Sequence, residues 1–114
     1  MTTLIPLNEA EAAWLAGLSK SLSDRGIQDL AALSAFFATQ KEAWLALPAD
    51  ERPDPNPLIN SVGAAVGDHL VAELGMEWMV ASDEHGVEAA VVGQPGDVLV
   101  YPMNAVAKRW TGES

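Results

Sequence analysis

The sequence predicts a single α+β domain: an N-terminal helical hairpin, a long helix, a three-stranded antiparallel meander and a short C-terminal helix. Three observations predict this fold class. A helical apolar pattern runs over Leu58–Gly75 and ends at a glycine. Three short apolar runs follow it, MEWMVAS, VEAAVV and DVLVY, with turn residues between them. Two further helical patterns come first. A chain of 114 residues can bury one core, so we assign residues 1–114 to one domain.

Residues 8–47 have the pattern of two helices joined as a hairpin. Asn8 can cap the first helix, and Glu9 and Glu11 are favourably placed near its positive end. The second helix is expected over Gln28–Leu47. The apolar residues that repeat at helical spacing in the first helix are Trp14, Leu15, Leu18 and Leu22. The two helices are therefore expected to pack beside the sheet as a hairpin.

Two stretches carry no pattern of a helix or strand. Thr2–Leu7 is interpreted as a short lead-in to the first helix. Residues 48–57, PADERPDPNP, hold four prolines and three acids and have too little apolar surface to pack. We therefore interpret 48–57 as a proline-rich connection to a helix–meander–helix unit over 58–114, with a recognition loop as the alternative.

Two glycines interrupt the apolar stripe of the long helix. Gly63 and Gly67 lie four residues apart, so they leave a patch without side chains on one face. Each costs roughly 1 kcal/mol relative to Ala in a helix interior. A segment packed against them is expected to offset that cost. We expect a strand or helix of the same chain, with a partner chain or ligand as the alternative. Gly63 and Gly67 are thus candidate binding or interface residues.

The three predicted strands are apolar on much of both faces. Trp78 and Val80 share one face, and Met79 and Ala81 share the other. Turns are expected at Asp83–Gly86 and at Pro95-Gly96. A half-solvated antiparallel sheet is polar on one side. We therefore expect helices on one face and partial cover on the other. Since a three-stranded sheet also exposes two edges, a homodimer is favoured.

The charge of the chain is strongly negative and unevenly distributed. Its formal net charge is −10, and between Arg52 and Lys108 there are eight acids and no Lys or Arg. Such a surface repels phosphate, so nucleic-acid binding is not expected. No apolar run approaches the length of a membrane span, and no basic-then-apolar leader opens the chain, so we expect no membrane partner. The absence of cysteine excludes disulfides and thiol catalysis, and a cytoplasmic location is expected.

A set of spaced residues resembles a known family. The set reads G-x-x-x-G-D/E-x-L-V-x-x-x-G-x-x-W, then D-x-x-G, then P-x-N-x-V-x-K-R-W-x-G-E. Its residues are Gly63, Gly67, Asp68, Leu70, Val71, Gly75, Trp78, Asp83, Gly86, Pro102, Asn104, Val106, Lys108, Arg109, Trp110, Gly112 and Glu113. This is similar to a family of small uncharacterised bacterial proteins grouped as a domain of unknown function. The resemblance covers about Leu58–Glu113 and implies an α+β domain without assigned catalytic residues.

Histidines and acids supply weak candidates for chemistry. The metal candidates are His69, Glu73, Asp83 and His85, with Asp68 and Glu84 beside them. His69 and Glu73 are four apart on a helix, so a surface pair explains them equally well. Serine hydrolysis at Ser34, Ser61 or Ser82 would need a base and an oxyanion site, and no G-x-S-x-G elbow exists. We predict no catalytic residue and no cofactor.

The tryptophans and the late cations are the remaining candidates. The four tryptophans, one in each of four predicted elements, are Trp14, Trp44, Trp78 and Trp110. A shared aromatic core is expected, with Trp78 and Trp110 also candidates to line a groove or interface. Lys108 and Arg109 are candidate binding residues too. We favour their pairing with an acid such as Asp68 or Asp83 over their binding an anion.

Together these patterns favour a non-catalytic protein-interaction or ligand-binding module, such as an acidic adaptor or chaperone-like protein. The first alternative is a small metal-dependent or acid/base hydrolase, which requires a histidine within hydrogen-bonding reach of two carboxylates. The second is an acidic immunity- or antitoxin-like protein whose negative surface blocks a basic partner. No motif in the sequence names the ligand.

Overall fold

A four-stranded antiparallel sheet and four α-helices make up the part of the chain that the computed structural model describes, residues 3–84, 86–93 and 98–112. The helices are α1 (Glu9–Ser23), α2 (Leu30–Ala46), α3 (Asn56–Leu74) and α4 (Pro102–Thr111), and a 3-10 turn occupies Ala49–Glu51. The strands are β1 (Thr3–Pro6), β2 (Glu77–Asp83), β3 (Gly86–Gly93) and β4 (Val98–Val100). The predicted α+β class, the long helix and the short C-terminal helix are confirmed.

The sheet contains one more strand than the sequence predicted. Thr3–Pro6, interpreted as part of a lead-in, is β1 and pairs antiparallel with β2, from Thr3 opposite Ser82 to Pro6 opposite Met79. All four residues of β1 are exposed. A strand that buries neither face has no apolar alternation to reveal it. Pro6 also has no N–H to donate, which suits an edge strand and argues against a central one.

The order β1-β2-β3-β4 confirms an antiparallel meander. Trp78 lies opposite Val91 in the β2–β3 pair, and Val91 lies opposite Val100 in the β3–β4 pair. The residues of β2 and β3 that flank the first turn, Asp83 and Gly86, are paired, as the turn signature predicted. His85 and the predicted turn at Pro95-Gly96 lie outside the described residues.

Helix α3 is the central packing element. Helix α1 packs along it from one side and α4 from another, whereas α2 contacts it over a shorter length. The two N-terminal helices therefore use α3 as their main packing partner, and Leu22 of α1 and Leu33 of α2 belong to one core cluster. Their buried apolar side chains are Leu15, Leu22 and Leu33. The face of the sheet that carries Trp78 and Val91 is turned toward these helices, and Val91 is completely buried.

The helical core gathers two of the four tryptophans. Its buried members are Leu22, Leu33, Ile59, Val62, Val106 and Trp110. The Trp110 ring makes edge contacts with Trp44, at 5.3 Å between ring centroids, and with Phe37, at 5.7 Å. Trp78 packs on α3 at the sheet, and Trp14 is 49% exposed. A core shared by all four tryptophans is therefore wrong, because α1 and β2 direct their indoles to different sides of α3.

The proline-rich connection is held against α2. Trp44 Nε1 donates a hydrogen bond to the Pro53 carbonyl at 2.8 Å, and Arg52 donates to carbonyls at the end of α2. Helix α3 begins at Asn56, so the last two residues of the predicted connection are helical, and prolines suit a helix start. Polar bonds thus order a stretch that has little apolar surface.

Asn8 caps α1 as the sequence predicted. Its side-chain oxygen accepts from the Glu11 N–H at 2.8 Å, and the Glu11 carboxylate accepts from the Asn8 N–H at 2.9 Å. We expect Asn8→Ala to lower the free energy of unfolding by about 1 kcal/mol, because the side-chain acceptor of the Glu11 N–H is lost. Urea unfolding would measure it. The exposed mid-helix change Thr39→Ala should shift it by less than about 0.5 kcal/mol; equal stability of both variants contradicts the assigned role of the cap.

The homodimer stays a prediction. On the sheet face that points away from the helices, the larger apolar side chains are Leu4, Met79, Val92 and Leu99. Glu77 and Glu88 share that face. Light scattering at two protein concentrations would show whether the mass exceeds the 12.0 kDa of one chain.

Within residues 3–84, 86–93 and 98–112, no helix combines the length and apolarity needed to cross a membrane.

Candidate functional site

The two glycines of α3 are covered by other segments of the same chain. A Cβ at Gly63 would lie 2.8 Å from Met103 Cα, which is closer than such atoms approach. A Cβ at Gly67 would overlap the six-membered ring of Trp78. The Trp78 indole is also fixed by a hydrogen bond from its Nε1 to Asp68 Oδ1 at 2.9 Å. Segments of the same chain, α4 and β2, thus make the contact that the sequence predicted at these glycines.

The remaining residues predicted for an interface lie apart from one another. Trp110 is only 5% exposed, inside the helical core. Lys108 and Arg109 lie in the last turn of α4, where cations are favourable to the helix dipole. Neither forms an ion pair within the described part of the chain, and the Arg109 carbonyl accepts from Lys41 Nζ at 2.8 Å. The structure therefore does not form the expected pair with Asp68, whose carboxylate accepts from Trp78.

The metal candidates form no cluster within the described part of the chain. His69 and Glu73 lie on α3, and Asp83 ends β2. In residues 3–84, 86–93 and 98–112, no three His, Asp or Glu side chains converge on one point. His85 lies outside these residues. Ser61 Oγ donates to the Pro57 carbonyl at 3.1 Å, one helical turn back. Among the residues that the structure describes, these side chains therefore form no metal-binding cluster.

An apolar groove, which we call the α1 groove, lies between α1 and the helix-facing side of the sheet. Its lining residues are Leu7, Glu11, Trp14, Leu15, Asn60, Val80, Val87, Glu88, Ala89 and Met103. It encloses about 340 Å³. Helix α1 forms one wall, β2 and β3 form the opposite wall, and α3 and α4 close one end. The side chains of α1 and of the sheet leave this space between them open.

The rim of the α1 groove exposes large apolar side chains. Trp14 is 49% exposed and Val87 is 66% exposed. On α1, Leu15 and Leu22 point into the core, and Trp14 lies about 100° and about 80° from them around the helix axis. It is therefore on the edge of the apolar stripe and leans over the groove. The spacing of Trp14, Leu15 and Leu22 in the sequence indicates this edge position, but the sequence interpretation placed Trp14 in a shared core.

Charge around the α1 groove is negative. Glu11 is the ionisable side chain that faces the groove, and the lining contains no Lys or Arg. Glu88 borders the groove, but strand alternation directs its side chain to the opposite face of the sheet, which it shares with Ala81. Partial burial, followed by the nearby negative charge of Asp83, raises the pKa of the Glu88 carboxyl. Lys20 is the cation of α1, and its Nζ pairs with Asp24 at 2.8 Å, away from the groove. The groove therefore combines apolar walls with one acidic side chain, Glu11, at its edge.

Two other clefts border the helical core. One encloses about 350 Å³ between α2, α3 and α4, with Leu30, Phe37 and Arg109 in its lining. The other encloses about 430 Å³ beside the connection and includes Arg25 and Trp110. Trp110 Nε1 is buried and has no hydrogen-bond acceptor among the described residues. The α1 groove is distinguished from both by its half-exposed tryptophan, Trp14.

The fold and the α1 groove define a class, a small acidic α+β domain with helices on one face of an antiparallel meander and an open apolar groove. The chain belongs to the family described as Domain of unknown function (DUF3806), whose model matches residues 39–114. The match confirms the resemblance to an uncharacterised family and begins within α2, earlier than the sequence motifs. The α1 wall of the groove precedes it. Comparison with the curated proteins and with the solved structures gave no match.

Proposed function

We propose that this protein is a binding module and that the α1 groove is its binding site. The observation that carries the proposal is the half-exposed Trp14 above an apolar groove. An exposed indole over apolar walls leaves surface in water that a bound group would cover. Tryptophan is also among the residues that most often dominate binding energy at protein surfaces.

The dimensions of the groove support the binding of an apolar side chain or a small apolar molecule. Its volume of about 340 Å³ lies at the lower end of the range for ligand pockets. Its walls are formed largely by aliphatic groups of Leu15, Val80, Ala89 and Met103. Such walls give affinity by removing apolar area from water and provide little directional recognition, which the few polar groups at the rim would add.

The chemistry of the lining favours binding over hydrolysis. Hydrolysis requires a nucleophile or bound water, a base and a group that stabilises negative charge, all convergent. Asn60 and Glu11 supply the polar and charged side chains of the lining, and the Glu11 carboxylate already accepts from the Asn8 N–H. The module proposed here is therefore non-catalytic, and the immunity-like alternative is a special case of it, with a basic protein as the bound partner.

Binding of a neutral apolar dye tests the proposed function. Nile red fluorescence should rise when the dye enters the α1 groove, and Trp14→Ala should weaken binding about tenfold because the exposed indole is lost. Leu45→Ala is the matched control, since Leu45 is also 49% exposed but does not line the groove. Absence of dye binding, or equal loss in both variants, overturns the assignment of the groove.

A further inference from the structure

We propose that the cleft between α2, α3 and α4, which we call the α2 cleft, binds a medium-chain carboxylate, an alkyl chain of about ten carbons whose carboxylate pairs with Arg109. The residues that line the α2 cleft are Leu30, Leu33, Ser34, Phe37, Val62, Val66, Ala105, Val106 and Arg109. The α1 groove and the α2 cleft share no lining residue, so this inference adds a second site and does not depend on the proposed function.

The walls of the α2 cleft suit an alkyl chain. All of its lining residues other than Ser34 and Arg109 are apolar. Leu33, Val62 and Val106 belong to the buried core and form the floor, whereas Leu30 is 54% exposed at the surface. An alkyl chain in this space of about 350 Å³ would remove apolar surface of Leu30 and of the floor from water.

Arg109 is the charged residue of the lining, and helical geometry directs its side chain toward the cleft. At about 100° per residue, Arg109 lies about 40° from Ala105 and about 60° from Val106 around α4, and both of these residues line the cleft. Lys108 lies about 160° from Val106, on the other side of the helix. The Arg109 guanidinium is therefore the cation that α4 presents to the cleft.

The cation lies at one end of the cleft, as the head group of an amphiphile requires. Lys41 Nζ donates to the Arg109 carbonyl at 2.8 Å, so the last turn of α4 lies beside the Lys41 turn of α2. One stripe of α2, no wider than about 60°, runs along the cleft and consists of Leu30, Ser34, Phe37 and Lys41. Leu30 is therefore at the opposite end. From Leu30 to Phe37 the helix rises about 10 Å, and an extended chain of ten carbons spans about 11 Å.

Local charge favours an anionic head group at this end, although the chain as a whole is acidic. The lining contains no Asp or Glu, in a chain that has 16 of them. Within the described residues, neither Arg109 nor Lys41 pairs with a carboxylate. Asp29 lies at the opposite end of the cleft, and Glu42 lies about 100° around α2 from Lys41. The planar Arg109 fork can therefore hold a carboxylate through two parallel hydrogen bonds, and charges more than about 8 Å away are screened at physiological salt.

Three ten-carbon compounds test the inference: decanoate, 1-decanol and decyltrimethylammonium, each used below the concentration at which it forms micelles. Isothermal titration calorimetry measures their Kd for the full-length protein. We expect decanoate to bind at least about tenfold tighter than decanol, because charge-assisted bonds to Arg109 are added to the same apolar contact. Decyltrimethylammonium should bind more weakly than both, because the cleft presents a cation to its head group.

Two pairs of variants locate the contact. Arg109→Gln should weaken decanoate binding about tenfold and leave decanol binding unchanged, and Lys108→Gln is its control, with the same change of charge on the other side of α4. Ala105→Leu narrows the cleft and should weaken decanoate and decanol alike, by at least about fivefold. Asn104→Leu, an exposed position of α4 outside the lining, should weaken neither. Thermal unfolding verifies that each variant is folded.

The outcomes separate this inference from the proposed function. Equal Kd values for decanoate and decanol, or equal effects of Arg109→Gln and Lys108→Gln, overturn the assignment of a carboxylate. Absence of decanoate binding overturns the site. Decanoate binding that Trp14→Ala weakens and Ala105→Leu does not overturns the inference too, because the compound then occupies the α1 groove. The proposed function is decided separately by Nile red and Trp14→Ala, since Trp14 does not line the α2 cleft.

Discussion

Replacing Gly67 by Ala is expected to lower the free energy of unfolding by about 1–3 kcal/mol, although alanine is the better helix former. The added Cβ would overlap the Trp78 ring, which is rigid and stacked directly on the bare backbone of α3. The ring must move, and with it the hydrogen bond from Trp78 Nε1 to Asp68 at 2.9 Å. The gain in helix propensity, at most about 1 kcal/mol, does not offset both losses.

Gly17→Ala is the matched control for this prediction. Gly17 lies inside α1, and no atom lies within 4 Å of the position that its Cβ would take. The same chemical change should therefore raise the free energy of unfolding by up to about 1 kcal/mol through backbone propensity alone. Urea unfolding of the two variants checks the opposite signs. If Gly67→Ala is as stable as Gly17→Ala, the ring does not pack on Gly67 as described.

Replacing Arg52 by Ala is expected to cost about 2 kcal/mol of stability and to release the proline-rich connection. Arg52 Nη2 donates to the Leu45 carbonyl at 2.9 Å, and its Nε donates to the Leu47 carbonyl at 3.0 Å and the Trp44 carbonyl at 3.2 Å. These carbonyls lie at the C-terminal end of α2, where helix carbonyls lack partners one turn further on, although the Trp44 carbonyl also accepts from the Leu47 N–H at 3.2 Å. The guanidinium also lies 5.0 Å from the Trp44 ring centroid.

Arg25→Ala is the control for Arg52→Ala. The Arg25 guanidinium lies 5.7 Å from the Phe36 ring centroid. Loss of this cation–π contact alone should lower the free energy of unfolding by about 0.5–1 kcal/mol. Arg52→Lys should recover only part of the loss, because one ammonium does not reproduce a planar fork directed at separate carbonyls. Thermal unfolding measures stability, and limited proteolysis within 48–57 measures release of the connection. Arg52→Ala as stable as Arg25→Ala would mean that the carbonyls are satisfied equally well by water.

Much of the fold could be predicted from local chemistry. The Asn8 cap, the left-handed Gly75 that ends α3 and the meander of β2, β3 and β4 depend on residues close together in the sequence. Strand β1 could not be predicted, since it is exposed on both faces and pairs with residues more than seventy positions away. The ordered conformation of residues 48–57 was not predicted either. It depends on side-chain hydrogen bonds from Arg52 and Trp44 and not on apolar burial.

The candidate site was predicted less well than the fold. Sequence reasoning selected Trp78 and Trp110 as groove residues, whereas Trp78 covers Gly67 and Trp110 fills the core. The exposed indole is Trp14, at the edge of the α1 stripe. Which of several similar tryptophans stays in contact with water depends on where each helix lies over the sheet. Long-range packing sets that placement, and a single sequence gives little information about it.

The amino-acid sequence by itself determined the α+β class, the acidic character of the chain and the presence of two bare positions on α3 that another segment had to cover. The tertiary structure decided which segments cover them, Met103 and the Trp78 ring, and left the α1 groove open beside them. The physical reason is that periodicity and composition act over a few residues. A groove exists only where elements distant in sequence meet without filling the space between them.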